Sequence, residues 1–124
     1  MTSIREEMMM NILSRYERLD RSGRHALLLA FGYMKGKLEL ENGDFDDWCD
    51  DEKNTVSRQL LRATQELYRE DPNWACGAGL LSLYLEARTL SSESAKRMVW
   101  KIENWYRHAA EDQLRRFPEV ASRA

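Results

Sequence analysis

Proline, glycine and cysteine are all scarce in this sequence: two prolines, six glycines and two cysteines in 124 residues. So few breakers leave long stretches free to be helical, and the sparse, scattered β-branched residues argue against a sheet. Cys49 and Cys76 fit no CxxC spacing and have no further cysteines with which to build a zinc site. That excludes a disulfide framework of the secreted kind and makes a reducing, cytoplasmic setting the expectation. The longest apolar run, residues 26–31 and on to Met34 across Gly32, is about half of what a bilayer requires. The opening MTSIREEMMMNILSRYERLD carries acids and no small-residue cleavage site, so it does not read as a signal peptide. Glycine-rich phosphate loops, HExxH and serine elbows are missing too. The expectation is a protein that is not an enzyme and holds no cofactor or metal.

Apolar residues make up 43% of the chain and charged residues 32%, a globular composition, and the length suits one helical domain over residues 1–124. The fold class expected is all-α, a compact bundle of about five helices near residues 3–20, 24–40, 45–69, 72–88 and 92–117. In the first, Ile4, Met8, Ile12, Tyr16 and Leu19 form a stripe at helical spacing, with Thr2 or Ser3 as cap. Ser22-Gly23 is read as the start of the second helix, whose apolar middle, HALLLAFGYM, predicts a central position; Gly32 and Gly36 predict a close neighbour. Glu41-Asn42-Gly43 ends it, and Asp44 then caps a third helix running unbroken to about Arg69, with a kink allowed near Lys53-Asn54-Thr55. Asp71-Pro72 restarts the chain into its most apolar segment, where Gly77 and Gly79 imply very close packing. Ser91-Ser92 caps the last helix, whose inner stripe is Ala95, Met98, Ile102, Trp105 and Ala109 and whose end is set by Phe117-Pro118.

Charge is distributed unevenly. The formal net charge is −2, which argues against a general nucleic-acid binder. Yet eight of the 21 acidic residues fall between Glu39 and Glu52 with no lysine or arginine among them, and the 13 that remain face 19 basic ones. A mildly basic body thus carries one acidic band, with Asp44, Asp46, Asp47, Asp50, Asp51 and Glu52 at its centre. As an EF-hand it fails, because Gly43 precedes the aspartates instead of standing sixth in the loop. As a dock for a partner with a basic surface it is chemically apt, since clustered carboxylates steer cations. As a solvated helix start it also stands, since acids favour helix N-termini.

Trp100 is the other feature. At 100° per residue it lies opposite the inner stripe of its helix, among Lys96, Arg97, Asn104, Arg107 and Glu111. An aromatic ringed by bases and amides has the composition of a binding hot spot, and the competing reading is a helix buried on two sides. A Trp100 or Trp48 at the surface also leaves homo-oligomer formation open.

Thr55-Val56-Ser57-Arg58-Gln59-Leu60 resembles the opening of the recognition helix in repressors of the lactose-repressor type. The resemblance covers six residues and implies a helix-turn-helix DNA binder in which Thr55, Ser57, Arg58 and Arg62 reach the duplex. Cys76, with His25 or His108 as base, is the one nucleophile to consider, and its apolar surroundings favour a structural role. The first expectation is therefore a small protein-binding regulator or inhibitor, working through the Trp100 face or the acidic band, with no membrane partner. The alternative is the DNA-binding transcriptional regulator, the one reading with nucleic acid as partner.

Overall fold

The computed structural model describes residues 3–116, the side chains of Leu114 and Arg116 apart. Five α-helices follow one another: α1 (Ile4–Arg18), α2 (Arg21–Asn42), α3 (Asp50–Leu67), α4 (Pro72–Ala87) and α5 (Glu93–Arg116). A single 3₁₀ turn, Phe45–Asp47, stands between α2 and α3. No strand occurs among the described residues, and the architecture is the all-α bundle of about five helices.

Helix α4 is the axis of the bundle. It is apolar all round, and from Ala75 to Leu85 every residue is buried. Asp71 caps it by accepting from the Trp74 N–H at 3.1 Å, and Pro72 occupies the first turn, where its missing N–H costs nothing. Helices α2 and α3 both pack along α4. A Cβ on Gly77 would lie 2.7 Å from the Ala30 Cβ and 2.9 Å from the Leu27 carbonyl oxygen, so α2 and α4 touch almost backbone to backbone there. Helix α5 closes the remaining side with Ala95, Met98, Ile102 and Ala109 turned inward. Trp105 completes the seal, its ring edge-on to both Tyr16 of α1 and Phe31 of α2 at 5.4 Å.

Several sequence expectations need correcting. The second helix starts at Arg21, because Asp20 rather than Ser22 is its cap, accepting from the Gly23 N–H at 2.8 Å. That helix is not central: Leu29, Tyr33 and Leu40 are exposed. Of the two glycines that predicted a close neighbour, Gly32 faces the Tyr106 hydroxyl of α5, while Gly36 has nothing nearby. In α1 the inward face is Met9, Ile12 and Tyr16, and Ile4 is exposed. Three successive methionines leave the periodic stripe free to rotate by one residue.

The third helix breaks earlier than the kink allowed for. Gly43 ends α2 at φ 87°, a region other residues avoid, and Asp44 caps only the 3₁₀ turn. Trp48 then adopts extended backbone, and α3 begins at Asp50 after Cys49. The cause is Trp48 itself. Its ring is buried against Phe45, and its indole N–H donates to the Asn42 and Gly43 carbonyls that end α2. Trp48 is therefore core, not a dimer contact. The limit read at Phe117 and Pro118 lies outside the described residues.

Candidate protein-binding surface

Ser92 starts α5 by accepting from the Ala95 N–H at 3.1 Å, and the stripe from Ala95 to Ala109 fixes which way the helix faces. With that stripe buried, the opposite crest must face water. Trp100 stands on it with 62% of its surface exposed, which removes the reading in which it simply packs. Lys96, Arg97 and Arg107 are exposed beside it. Arg107 donates to the Asn104 side-chain oxygen at 2.9 Å, one turn back, rather than reaching forward to Glu111. The helix thus brings Trp100, Lys96, Arg97, Asn104 and Arg107 onto one face, as their spacing requires.

A groove runs along each side of this crest. On the α1 side, about 450 Å³ of open space is lined by Trp100, Lys101, Asn104, His108, Tyr16 and Arg24. On the other, a groove of about 420 Å³ is lined by Lys96, Val99, Glu103, Lys53, Arg88 and Asp46. The second groove joins the two features that the sequence presents as separate. Asp46, from the acidic band, is ion-paired to Arg88. Arg88 also donates to the Tyr84 hydroxyl at 2.7 Å, and that hydroxyl donates to a Glu103 carboxylate oxygen at 3.2 Å. Burial, then the charge of Glu103 beside it, pushes the Tyr84 phenol well above its ordinary range.

The rest of the band points to solvent. Asp44, Asp47, Asp50, Asp51 and Glu52 are exposed, and among the described residues none is ion-paired. Asp50, Asp51 and Glu52 form the first turn of α3, where the helix dipole favours them, and Asp44 accepts from the Asp46 N–H at 3.1 Å. Sequence reasoning missed Lys101, Arg88 and Lys53. Lys101 follows Trp100 directly and is an exposed cation of the same helix, a signal that was there to use; the other two are placed only by tertiary packing.

The Thr55–Leu60 run is placed differently from a recognition helix. It lies in the interior of α3, beginning about one turn past three carboxylates, whereas groove readers use their first turn. Ser57 is buried and its hydroxyl donates to the Ser82 carbonyl at 2.7 Å, so it is withdrawn from the DNA-contacting set. Thr55, Arg58 and Arg62 are exposed. Cys76 is buried and its thiol pKa is raised by desolvation, which Arg15 partly offsets, the opposite of an activated nucleophile. Cys49 is exposed, its thiol 3.5 Å from a Glu52 carboxylate oxygen.

Among the described residues no group of three or more His, Cys, Asp or Glu side chains is placed to hold a metal ion, and no helix is long and apolar enough to cross a membrane. Comparison of the chain with family models, with curated proteins and with solved structures finds no match in any of the three.

Proposed function

We propose that this chain is a small protein-binding regulator that acts by surface complementarity, with the α5 crest as its anchoring surface. The observation that carries the reading is the exposure of Trp100 at 62%, on a helix, between three cations. Covering that much indole is worth about 3 kcal/mol, and an indole, with only two rotatable side-chain bonds, loses little entropy when bound. The exposed carboxylates Asp44, Asp47, Asp50, Asp51 and Glu52 supply the second element. They suit a partner with a cationic surface, and in the inhibitory form of the proposal that surface is one a nucleic-acid-binding protein would otherwise offer to phosphate. Asp46 is set apart from this group, since Arg88 already holds it.

The test is an affinity capture on the immobilised chain after nuclease treatment, repeated with two variants. The reading expects one stoichiometric protein that Trp100→Ala releases. It further expects the quadruple variant Asp47→Lys, Asp50→Lys, Asp51→Lys, Glu52→Lys to weaken capture and flatten its salt dependence. Capture indifferent to both variants would remove the proposal. Recovery of nucleic acid instead of protein, lost with Arg58→Ala and steeply weakened by salt, would put the DNA-binding alternative in its place.

A further inference from the structure

A third surface is left over by these features. On α2, Leu29, Tyr33 and Leu40 are exposed at 50%, 56% and 88%. They belong to one seam. Ser22, Ala26, Leu29, Tyr33, Gly36 and Leu40 follow one another at alternating spacings of four and three residues, the a/d pattern of a helix that expects a partner helix. The opposite face of α2, with Leu27, Leu28 and Phe31, is already buried in the bundle. So the seam is not core reached from the wrong side; it is a second apolar face on a helix that has already used its first. No charged residue stands in it.

We infer that this seam is the contact of an antiparallel homodimer, two copies of α2 crossing at the level of Phe31. The argument is self-complementarity. A twofold axis at that level sets Leu29 against Tyr33 of the second copy, Ala26 against Gly36, and Ser22 against Leu40. Each pair is its own reciprocal, as an isologous interface demands. The pairing also fits by size. The two smallest residues, Ala26 and Gly36, meet and allow close approach, and a Cβ on Gly36 has nothing within 4 Å inside the monomer. Leu40, the most exposed, lands on small Ser22, and the two large side chains interleave about the axis. Tyr33 is steadied by Trp74 of α4, ring centroids 6.1 Å apart, so less order is lost on docking. Lys37, which flanks the seam, is carried about 18 Å from its own copy at 1.5 Å per residue, so like charges do not meet.

Size supports the same occupant. Helix α2 has 22 residues and is about 33 Å long. Beside it, an apolar groove of about 640 Å³ runs to Tyr106 and Ala110 of α5, with Leu28 and Gly32 in its lining. Two helix widths of about 10 Å each make a footprint of roughly 700 Å². A standard stable interface takes about 800 Å² from each partner, so the seam and its groove are the right extent for one copy of this chain.

Sedimentation equilibrium over a concentration series tests this directly. The wild-type chain of 14.6 kDa is expected to show twice its mass at micromolar concentration. Tyr33→Glu and Leu29→Lys, both at solvent-exposed positions, should each raise the dissociation constant about 30-fold or more without changing the helical circular dichroism. Gly36→Leu is the control for folding, because a Cβ there meets nothing within 4 Å in the monomer, whereas the leucine side chain blocks the crossing. It too should give a folded monomer. Register is read from mixed Ser22→Cys and Leu40→Cys chains, each in a Cys49→Ser background: the mixture should cross-link on oxidation and neither chain alone should. A chain that is monomeric throughout, or a dimer unmoved by all three substitutions, overturns the inference; the first outcome would leave the seam to a helix of another protein, the second would place the contact elsewhere. Trp100→Ala should leave the mass unchanged, which separates this test from that of the Trp100 surface.

Discussion

Ser57 and Ser82 lock α3 to α4 by exchanging hydrogen bonds. The Ser57 hydroxyl donates to the Ser82 carbonyl and the Ser82 hydroxyl to the Ser57 carbonyl, both at 2.7 Å, with the two oxygens 2.9 Å apart. Both residues are buried, 4% and 3% exposed, so neither hydroxyl has water as an alternative. Small polar side chains at this crossing let the helices come close while keeping every hydroxyl partnered.

Ser57→Ala removes one donor and leaves the Ser82 carbonyl short of a partner, at a cost of about 1–2 kcal/mol. Ser82→Ala should cost a similar amount. The double substitution should cost less than the two singles together, because either single already breaks the 2.9 Å contact between the two hydroxyls. Urea denaturation of the four proteins checks this. Fully additive losses would mean that the exchange is not a unit.

Two glycines should respond in opposite directions to the same substitution. Gly77→Ala drives a methyl group to 2.7 Å from Ala30 and 2.9 Å from the Leu27 carbonyl, contacts that only a shift of α2 relieves. The expected loss is about 1–3 kcal/mol, enough to outweigh the helix-propensity gain. Gly36→Ala meets nothing within 4 Å and should raise stability by up to about 1 kcal/mol. Thermal unfolding at the lowest workable concentration, where self-association does not contribute, separates the two.

Features legible in the sequence were those decided locally. Asp71-Pro72, Gly43 and Ser92 announce helix ends by their own backbone chemistry, and each end is where expected. Angle alone placed Trp100 opposite the inner stripe of α5, but whether that face was covered by a second neighbour depended on the tertiary packing, which leaves it 62% exposed. What stayed hidden depends on residues far apart in the chain. Ser57 looked free to contact DNA because its partner lies 25 positions on. Helix α2 looked central because an apolar run does not say which of its faces is covered, and here α4 covers one and the seam is left open. The break at Trp48 is the exception: its partners are only five and six residues back, but helical periodicity carries no signal for an indole that bonds the carbonyls ending α2.

Those bonds can be weighed. Trp48 donates to the Asn42 carbonyl at 3.1 Å and the Gly43 carbonyl at 3.0 Å, and its ring lies 4.8 Å from that of Phe45. Trp48→Phe keeps much of the packing and loses the donor, an expected cost of about 1–2 kcal/mol. Trp48→Ala should cost about 3–5 kcal/mol and loosen the α2–α3 connection. Amide exchange reads the second effect: protection of Phe45–Asp47 and of the first turn of α3 should fall further than protection of α4. Equal loss everywhere would mean that the ring only fills the core.

Tyr84 should make the fold sensitive to alkali. An ordinary phenol titrates near 10, and here burial and the neighbouring Glu103 carboxylate raise the folded-state value well above that. The folded chain therefore holds this proton more tightly than the unfolded chain. The stabilisation is fully present below pH 10, declines once the unfolded phenol begins to ionise, and is lost as pH rises through the folded value. Tyr84→Phe removes the titrating group together with its bonds to Arg88 and Glu103. At pH 8 the variant should be less stable by about 1 kcal/mol. Between pH 10 and 11.5 the wild type should lose stability faster, so that the gap narrows. Urea midpoints of both proteins across that range measure it, and parallel curves would show that the Tyr84 proton is held no more tightly in the fold than in the unfolded chain.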